Sequence, residues 1–240
     1  MKKILTILSL VILLTGVSLA DVYIKQNSHT DAIEMMGQSQ PAQDEVNHLW
    51  LGDNKMAMHS EKQSVIIDLD AKKMMMIDHQ DKTYVEMDLP LDMSKYFPPQ
   101  LEQMMGQMKV SVTPTEKTQT INGYDCKAYD VKINFMMMEM DQTVWASKDV
   151  PFDWKSYSEK MLPMMQQAMM RLGSEALDEF KKIEGFQIKT EMTMNMMGSE
   201  MNSYTEVVEI DKKDAPEGTY SLPEGYTQKE KFSMGDLQRR

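Results

Sequence analysis

The chain has 240 residues, with 37 acidic and 26 basic side chains and a single cysteine. This acidic balance argues against binding to nucleic acid and against simple adsorption to anionic lipid headgroups, because both partners are negatively charged. One cysteine also excludes a disulfide within the chain.

The first twenty residues have the organisation of a secretory signal peptide. Two lysines precede an apolar run over residues 4–14, and Ser18 and Ala20 are small residues placed for cleavage before Asp21. The run is shorter than the about 20 residues that span a bilayer, so we expect no transmembrane segment in the mature chain. No cysteine follows the cleavage site, which excludes lipid attachment there. These features predict a periplasmic protein that is exported by a cleaved signal peptide and is not a lipoprotein.

The mature chain is predicted to form one domain. Cleavage removes both lysines of residues 1–20, which leaves 24 basic and 37 acidic side chains and a net charge of −13. The domain is expected to span residues 21–228, and the charged tail at 229–240 is expected to be frayed. Methionine is unusually abundant, because the mature chain contains 27 Met and only 11 Leu. Such a core is soft and adaptable, since the Met side chain is unbranched and has three rotatable bonds.

Short apolar segments separated by turn residues predict an antiparallel meander in the first half of the domain. Residues 47–51 and 55–59 form a hairpin pattern around a Gly-Asp-Asn turn. The connections are too short for crossover helices, so neighbouring strands must be antiparallel. The predicted strands of this half are residues 22–36, 47–51, 55–59, 64–69, 73–77 and 83–88.

A helix is predicted over residues 98–108, where a proline at the start precedes an apolar stripe. The stripe follows i, i+3, i+4, i+7 spacing. It consists of Leu101, Met104, Met105 and Met108.

Strands resume at residues 110–120, 124–135 and 138–146, and the Asn122-Gly123 dipeptide predicts a tight turn between the first two. The longest helical segment then covers residues 153–185. Ser156 and Glu159 suggest a capping box at its start, and a second short helix is expected at about 174–184. The apolar stripe of the segment consists of Met161, Met164, Met165, Ala168, Met169 and Leu172.

Two more strands, at residues 186–196 and 202–210, complete the pattern. We therefore expect a curved antiparallel sheet that wraps around the helical insert, which is an α+β fold.

Several local patterns stand out, at residues 65–70, 82–84, 121–129, 145–151 and 222–226. Together they resemble the exported domain-of-unknown-function family 4412, which is similar to the lipoprotein-carrier (LolA-like) proteins. This resemblance implies a LolA-like half-barrel, a curved antiparallel sheet with helices covering its concave face. In the carriers, that concavity holds acyl chains. The unknown-function family supplies no catalytic residues.

Motifs of catalysis are absent from the sequence. The four histidines are scattered singly without zinc-binding spacing, and there is no nucleophile elbow or phosphate-binding loop. Cys126 has no neighbouring histidine in sequence, and the two interpretations are a small buried strand residue or a reactive or intermolecularly paired thiol. We predict no enzyme activity, no catalytic residues and no cofactor.

Two functional interpretations remain open. The first is a carrier or binding protein for a lipid, an acyl chain or an apolar segment of an envelope protein, because Met-lined surfaces adapt to varied apolar partners. The alternative is a soft-metal protein for Cu(I) or Ag(I), or an oxidant buffer based on reversible methionine oxidation. Alternating Met192, Met194 and Met196 favour metal binding, but residues i and i+2 on a strand lie about 6.6 Å apart, so no metal ligands are assigned. The ligand-binding residues predicted for the carrier are Met104, Met105, Met108, Met161, Met164, Met165 and Met169.

Overall fold

The computed structural model of the protein describes residues 21–35, 38–97, 109–135, 138–159, 174–196 and 199–233. The described chain is nearly all β-structure, with one twelve-stranded sheet and a separate two-stranded sheet. Its helices are short: α1 (Met93–Tyr96), α2 (residues 154–159) and α3 (Ser174–Phe180). The predicted signal peptide and the predicted helix at 98–108 lie outside the described residues.

The large sheet runs in the order β14-β8-β7-β6-β5-β4-β1-β13-β12-β11-β10-β9, and β2 pairs with β3. Strand β14 is parallel to β8, and the other neighbours in the large sheet are antiparallel, so that sheet is mixed. The strands are β1 (Val22–Thr30), β2 (Ile33–Met35), β3 (Gln38–Gln40), β4 (Gln43–Leu51), β5 (Lys55–His59), β6 (Gln63–Asp68), β7 (Lys73–Asp78), β8 (Thr83–Asp88), β9 (Lys109–Ile121), β10 (Tyr124–Phe135), β11 (Met138–Ser147), β12 (Phe186–Met196), β13 (Ser199–Lys212) and β14 (Thr227–Lys229).

The predicted meander is confirmed by β4 to β8, which pair consecutively. The predicted tight turn between β9 and β10 is confirmed as well. Asn122 and Gly123 both have positive φ angles, of 49° and 85°. A two-residue hairpin loop requires that backbone conformation, and Asn and Gly adopt it at low cost.

The predicted α+β class is wrong, because the described helices are too short to cover a sheet of twelve strands. The inner face, defined as the face that carries Ile24, is instead covered largely by irregular connections. Leu91, Val150 and Phe232 come from such connections and are buried in the same core as strands β1 and β4 to β8. This core is therefore not buried by helices that cover a concave half-barrel face, as the resemblance to the LolA-like proteins implied.

The opposite face of strands β4 to β7 is buried too. Ile66 and Ile67 are neighbours on β6, so they point to opposite faces, and both are almost completely enclosed. Ile66 packs in a second core with Tyr220, Leu222 and Tyr226 of the C-terminal segment. We call this C-terminal segment, residues 215–226, the strap.

The turn between β9 and β10 reaches back to β13. Asn122 Nδ2 donates hydrogen bonds to Val207 O at 2.8 Å and to a Glu206 carboxylate oxygen at 2.7 Å. Strands β11 and β12 separate β10 from β13 in the sheet, and adjacent strands lie about 4.8 Å apart. The tip of the hairpin therefore folds over towards β13.

We expect Asn122→Gly to lower the free energy of unfolding by about 1 to 2 kcal/mol, because buried Val207 loses a hydrogen-bond donor for its carbonyl. Glycine keeps the positive φ, so the loss reports the side-chain contacts alone. Urea denaturation measures the change. Lys72→Gly is the matched control, because Lys72 also has a positive φ, of 53°. Equal losses in both variants would show that the Asn122 side chain does not anchor the hairpin.

Candidate ligand-binding cavity

An apolar cavity of about 240 Å³ lies between the inner face of the sheet and helices α2 and α3. The sheet side is formed by β1, β4 and the start of β12. Helix α2, helix α3 and the residues after α3 supply most of the apolar side chains. The lining residues are Gln26, Leu49, Trp154, Tyr157, Ser158, Phe180, Ile183, Gly185, Phe186 and Gln187.

Helix α2 is set in place by Asp153. Its carboxylate accepts a hydrogen bond from the Ser156 N–H at 3.0 Å, and its carbonyl accepts one from the Tyr157 N–H at 3.1 Å. Asp153 is thus the N-cap, and the predicted capping box at Ser156 is wrong. With this start, Trp154, Tyr157 and Ser158 follow i, i+3, i+4 spacing and share the face towards the cavity.

The rings of Tyr157 and Phe186 form one side of the cavity, and the ring of Phe152 packs against them. Phe152 lies edge-on to Phe186 with ring centroids 5.2 Å apart, and Tyr157 lies 6.0 Å from Phe186 in a similar arrangement. Edge-to-face pairs of this kind are favourable beyond their buried area. Burial raises the pKa of Tyr157 to about 12, so its phenol is neutral at physiological pH.

The part of the cavity wall that follows α3 is held in place by contacts of its backbone. The Tyr129 hydroxyl accepts a hydrogen bond from the Glu184 N–H at 3.2 Å and donates one to the Glu184 carbonyl at 3.4 Å. Gly185 follows with a φ of 118°, and a Cβ there would lie 2.6 Å from Ser147 O. Only glycine allows this approach, which brings Phe186 into register with Ser147 at the start of β12.

Helix α3 is tied to the edge of the sheet by Glu179. A carboxylate oxygen of Glu179 accepts the Val112 N–H of β9 at 2.7 Å. The Lys182 ammonium, followed by this hydrogen bond, lowers the pKa of Glu179, so the carboxylate stays charged and keeps accepting. The position of Phe180 against the cavity depends on this link.

All seven predicted ligand-binding methionines lie outside the described residues. Four of them belong to residues 160–173, the segment that connects α2 to α3. The side chains that line the described cavity were not predicted from the sequence. One feature of the sequence could have identified them, because aromatic residues are concentrated between residues 152 and 186. These residues are Phe152, Trp154, Tyr157, Phe180 and Phe186.

A chain of hydrogen bonds crosses the opposite face of the sheet beneath the strap. His59 Nε2 must donate to the Thr219 carbonyl at 3.0 Å, so its Nδ1 accepts from the Ser64 hydroxyl at 2.8 Å. Ser64 Oγ then accepts from His79 Nε2 at 2.7 Å, and His79 Nδ1 accepts from the Tyr226 hydroxyl at 2.7 Å. Each side chain thus has a defined donor and acceptor, and together these bonds hold the strap at Thr219 and Tyr226.

This arrangement resembles a serine-histidine pair, but Ser64 is only 2% exposed and its oxygen is already used twice. A nucleophile must reach its substrate, so the bonds are structural. Among the described residues, no group of three or more His, Cys, Asp or Glu side chains is placed to hold a metal ion.

Cys126 is buried, as predicted by the interpretation of a small strand residue. Its side chain is 3% exposed, and Sγ lies 3.3 Å from the Tyr124 carbonyl, to which it donates. Burial raises the pKa of the thiol to about 11. The reactive thiolate is therefore scarce at neutral pH.

Comparisons with known proteins give a family but no activity. A family model described as "Domain of unknown function (DUF4412)" matches residues 32–226. None of the curated proteins matches the chain. The matched region contains α2, α3 and the strap. Among the described residues, no helix has the length and hydrophobicity to cross a lipid bilayer.

We expect the contribution of His59 to stability to fall as the pH drops from about 7.5 to about 5.5. Burial lowers the pKa of His59, so the unfolded chain takes up the proton first and is favoured by acid. The difference in free energy of unfolding between the wild type and His59→Gln should therefore shrink on acidification. Urea denaturation at several pH values measures it.

His29 provides a control of opposite sign. Its imidazole lies 2.7 Å from Asp44 and 3.2 Å from Asp31, and the hydrogen bond with Asp44 is the main cause that raises its pKa. The folded state therefore holds this proton more tightly, and the difference between the wild type and His29→Gln should grow on acidification. The same pH trend for both variants would contradict the assignment of a neutral, half-buried His59.

Proposed function

The chain belongs to the DUF4412 family, and we propose that it is a non-enzymatic envelope protein that binds a hydrophobic ligand in the cavity between the sheet, α2 and α3. One observation carries the proposal. Six apolar or aromatic side chains surround about 240 Å³ of space. They are Leu49, Trp154, Tyr157, Phe180, Ile183 and Phe186.

The size of the cavity points to a small ligand. Sites for drug-sized molecules usually measure about 300 to 1,000 Å³, and this cavity is slightly smaller. A single alkyl chain or one ring system fits that space better than a two-chain lipid or a protein segment does. Gln26, Ser158 and Gln187 offer polar groups at the border, which suits a ligand with one polar end.

The chain segment between the two helices supports the same ligand class. Residues 160–173 carry Met161, Met164, Met165 and Met169 at helical spacing, and they join two helices that line the cavity. Thioether side chains adapt to apolar ligands of different shape. The LolA-like carriers, which the sequence motifs resemble, hold the same class of ligand. The helix-covered half-barrel of those carriers is not part of the proposal.

We expect Ser158→Phe to weaken binding of the neutral hydrophobic probe N-phenyl-1-naphthylamine by at least about tenfold, because the new ring occupies the cavity. Fluorescence titration of the purified mature protein measures the affinity. Ser156→Phe is the matched control, since Ser156 belongs to the same helix but does not line the cavity. Circular dichroism checks that both variants are folded.

Two outcomes would contradict the cavity as the binding site. The first is that the wild type does not bind the probe. The second is that the Ser158 and Ser156 variants bind it equally well. Native mass spectrometry of protein taken from its own envelope identifies a co-purifying ligand, and the Ser158 variant should carry less of it.

We also expect the mature protein to begin at Asp21 and to be recovered from the periplasmic fraction. Removal of residues 1–20 leaves the net charge at −13, and the corresponding loss of mass is measured directly on the intact protein. Cys126→Ser is a useful control, because a chain lacking any cysteine cannot be lipidated. Full-length protein in the cytoplasm would overturn the export proposal without affecting the cavity.

A further inference from the structure

The register of three neighbouring strands brings methionines directly opposite one another. Met140 on β11 pairs with Met194 on β12, and Met194 pairs with Met201 on β13. Directly opposite residues share one face, with Cβ atoms about 4.5 to 5.5 Å apart. All three side chains are half-buried, so the row lies at an accessible part of the inner face.

A fourth thioether lies in the adjacent row of the same face. Met192 is two residues from Met194 on β12, and its sulfur is 3.5 Å from the side-chain nitrogen of Gln142. Ser203 is opposite Met192 on the other side. The neutral amide and hydroxyl of this row leave the sulfur atoms as the main soft donors.

The charged side chains next to the methionine row belong to the other face. Glu139, Asp141 and Glu200 are adjacent in sequence to residues of the methionine row, so strand alternation directs them away from it. Asp141 pairs with Lys132 at 3.5 Å on that other face. The methionine face of these two rows therefore has no carboxylate to attract a hard cation such as Ca²⁺ or Mg²⁺.

Thioether sulfur selects soft ions, of which Cu(I) is the biological example. Residues i and i+2 on one strand are about 6.6 Å apart, which is poor spacing for shared ligands. Pairing across strands removes this difficulty, because opposite methionines start closer together and each has three rotatable bonds with which to converge. The pairing of β11, β12 and β13 creates this proximity for three methionines at once.

We propose that Met140, Met194 and Met201 bind one Cu(I) ion through their three sulfur atoms, with Met192 as a fourth ligand. The site is separate from the cavity, because none of the four residues lines it. Hydrophobic-ligand binding and copper binding can therefore succeed or fail independently.

The test is a titration of anaerobic mature protein with Cu(I) in competition with a chromophoric Cu(I) chelator. The combined variant Met140→Leu, Met194→Leu, Met201→Leu removes the sulfur atoms and keeps similar side-chain volumes. We expect this triple variant to lose one tightly bound equivalent of Cu(I), or to bind Cu(I) at least about tenfold more weakly. A tenfold loss of affinity is the smallest effect usual when a partner is removed at a metal site. Circular dichroism and the thermal midpoint establish that the variant is folded.

The matched control is Met58→Leu, Met75→Leu, Met76→Leu. It also removes three sulfur atoms from strands, but Met58 and Met76 are separated by the strand of Val65, and Met75 points to the opposite face. This control should retain the copper equivalent. Equal losses in the two triple variants, or a wild type that does not compete with the chelator, would overturn the proposal.

Silver provides a second readout on the unaltered protein. Ag(I) has the same preference for sulfur and no redox chemistry under these conditions, so it suits nuclear magnetic resonance of methyl-labelled methionine. The methyl signals of Met140, Met194 and Met201 should shift together up to one equivalent. Shifts spread evenly over all methionines would show diffuse binding and would also overturn the site.

Discussion

The register of the hydrogen-bonded strands in the large sheet is the constraint on which the structure depends. Side chains alternate along every strand, so pairing fixes which residues meet across the sheet. The same rule places Ile24, Leu49 and Met58 in one row of the inner core and three methionines in a row between β11 and β13. A slip of one residue would exchange the buried and the exposed sets. Packing of the inner core thus also determines where the thioethers meet.

The cavity lies where this ladder is incomplete. Pairing between β12 and β13 begins at Lys189, whereas β12 already pairs with β11 from Phe186. Residues 186–188 of β12 therefore have no ladder partner on β13, and helices α2 and α3 lie over this part of the inner face. The Asn122 side chain supplies a donor to β13 at the same level, next to buried Val207. One interruption of the sheet thus explains both the space and the contacts around it.

Local patterns predicted most of the strands, but β3 and β14 were not predicted, and β1 ends at Thr30 within the strand predicted at 22–36. The predicted bounds of β8, β10 and β12 agree with the structure, because alternation and turn chemistry are encoded by neighbouring residues. The fold class was not predictable in this way, because irregular residues such as Leu91 and Phe232 cover the sheet without any periodic signal.

The cavity and the methionine row were not predicted, because each combines segments that are distant in sequence. Leu49 and Trp154 meet at the cavity only after folding, and no local pattern connects them. The proximity of Met194 and Met201 follows from the hairpin of β12 and β13, which are neighbours in sequence. The position of Met140 beside them depends on pairing across the long connection between β11 and β12. The sequence alone therefore indicated that methionine is unusually abundant, but it did not indicate which methionines meet in the folded sheet.

The two ends of the twelve-stranded sheet have a consequence for self-association. A bare strand at an end is a template on which further copies of a protein can polymerise into fibres. At one end, β14 has only three residues. At the other, β9 contains Pro114, which has no N–H, together with Lys117 and Glu116 among many exposed positions. Both ends of the described sheet are therefore poor templates for a further strand.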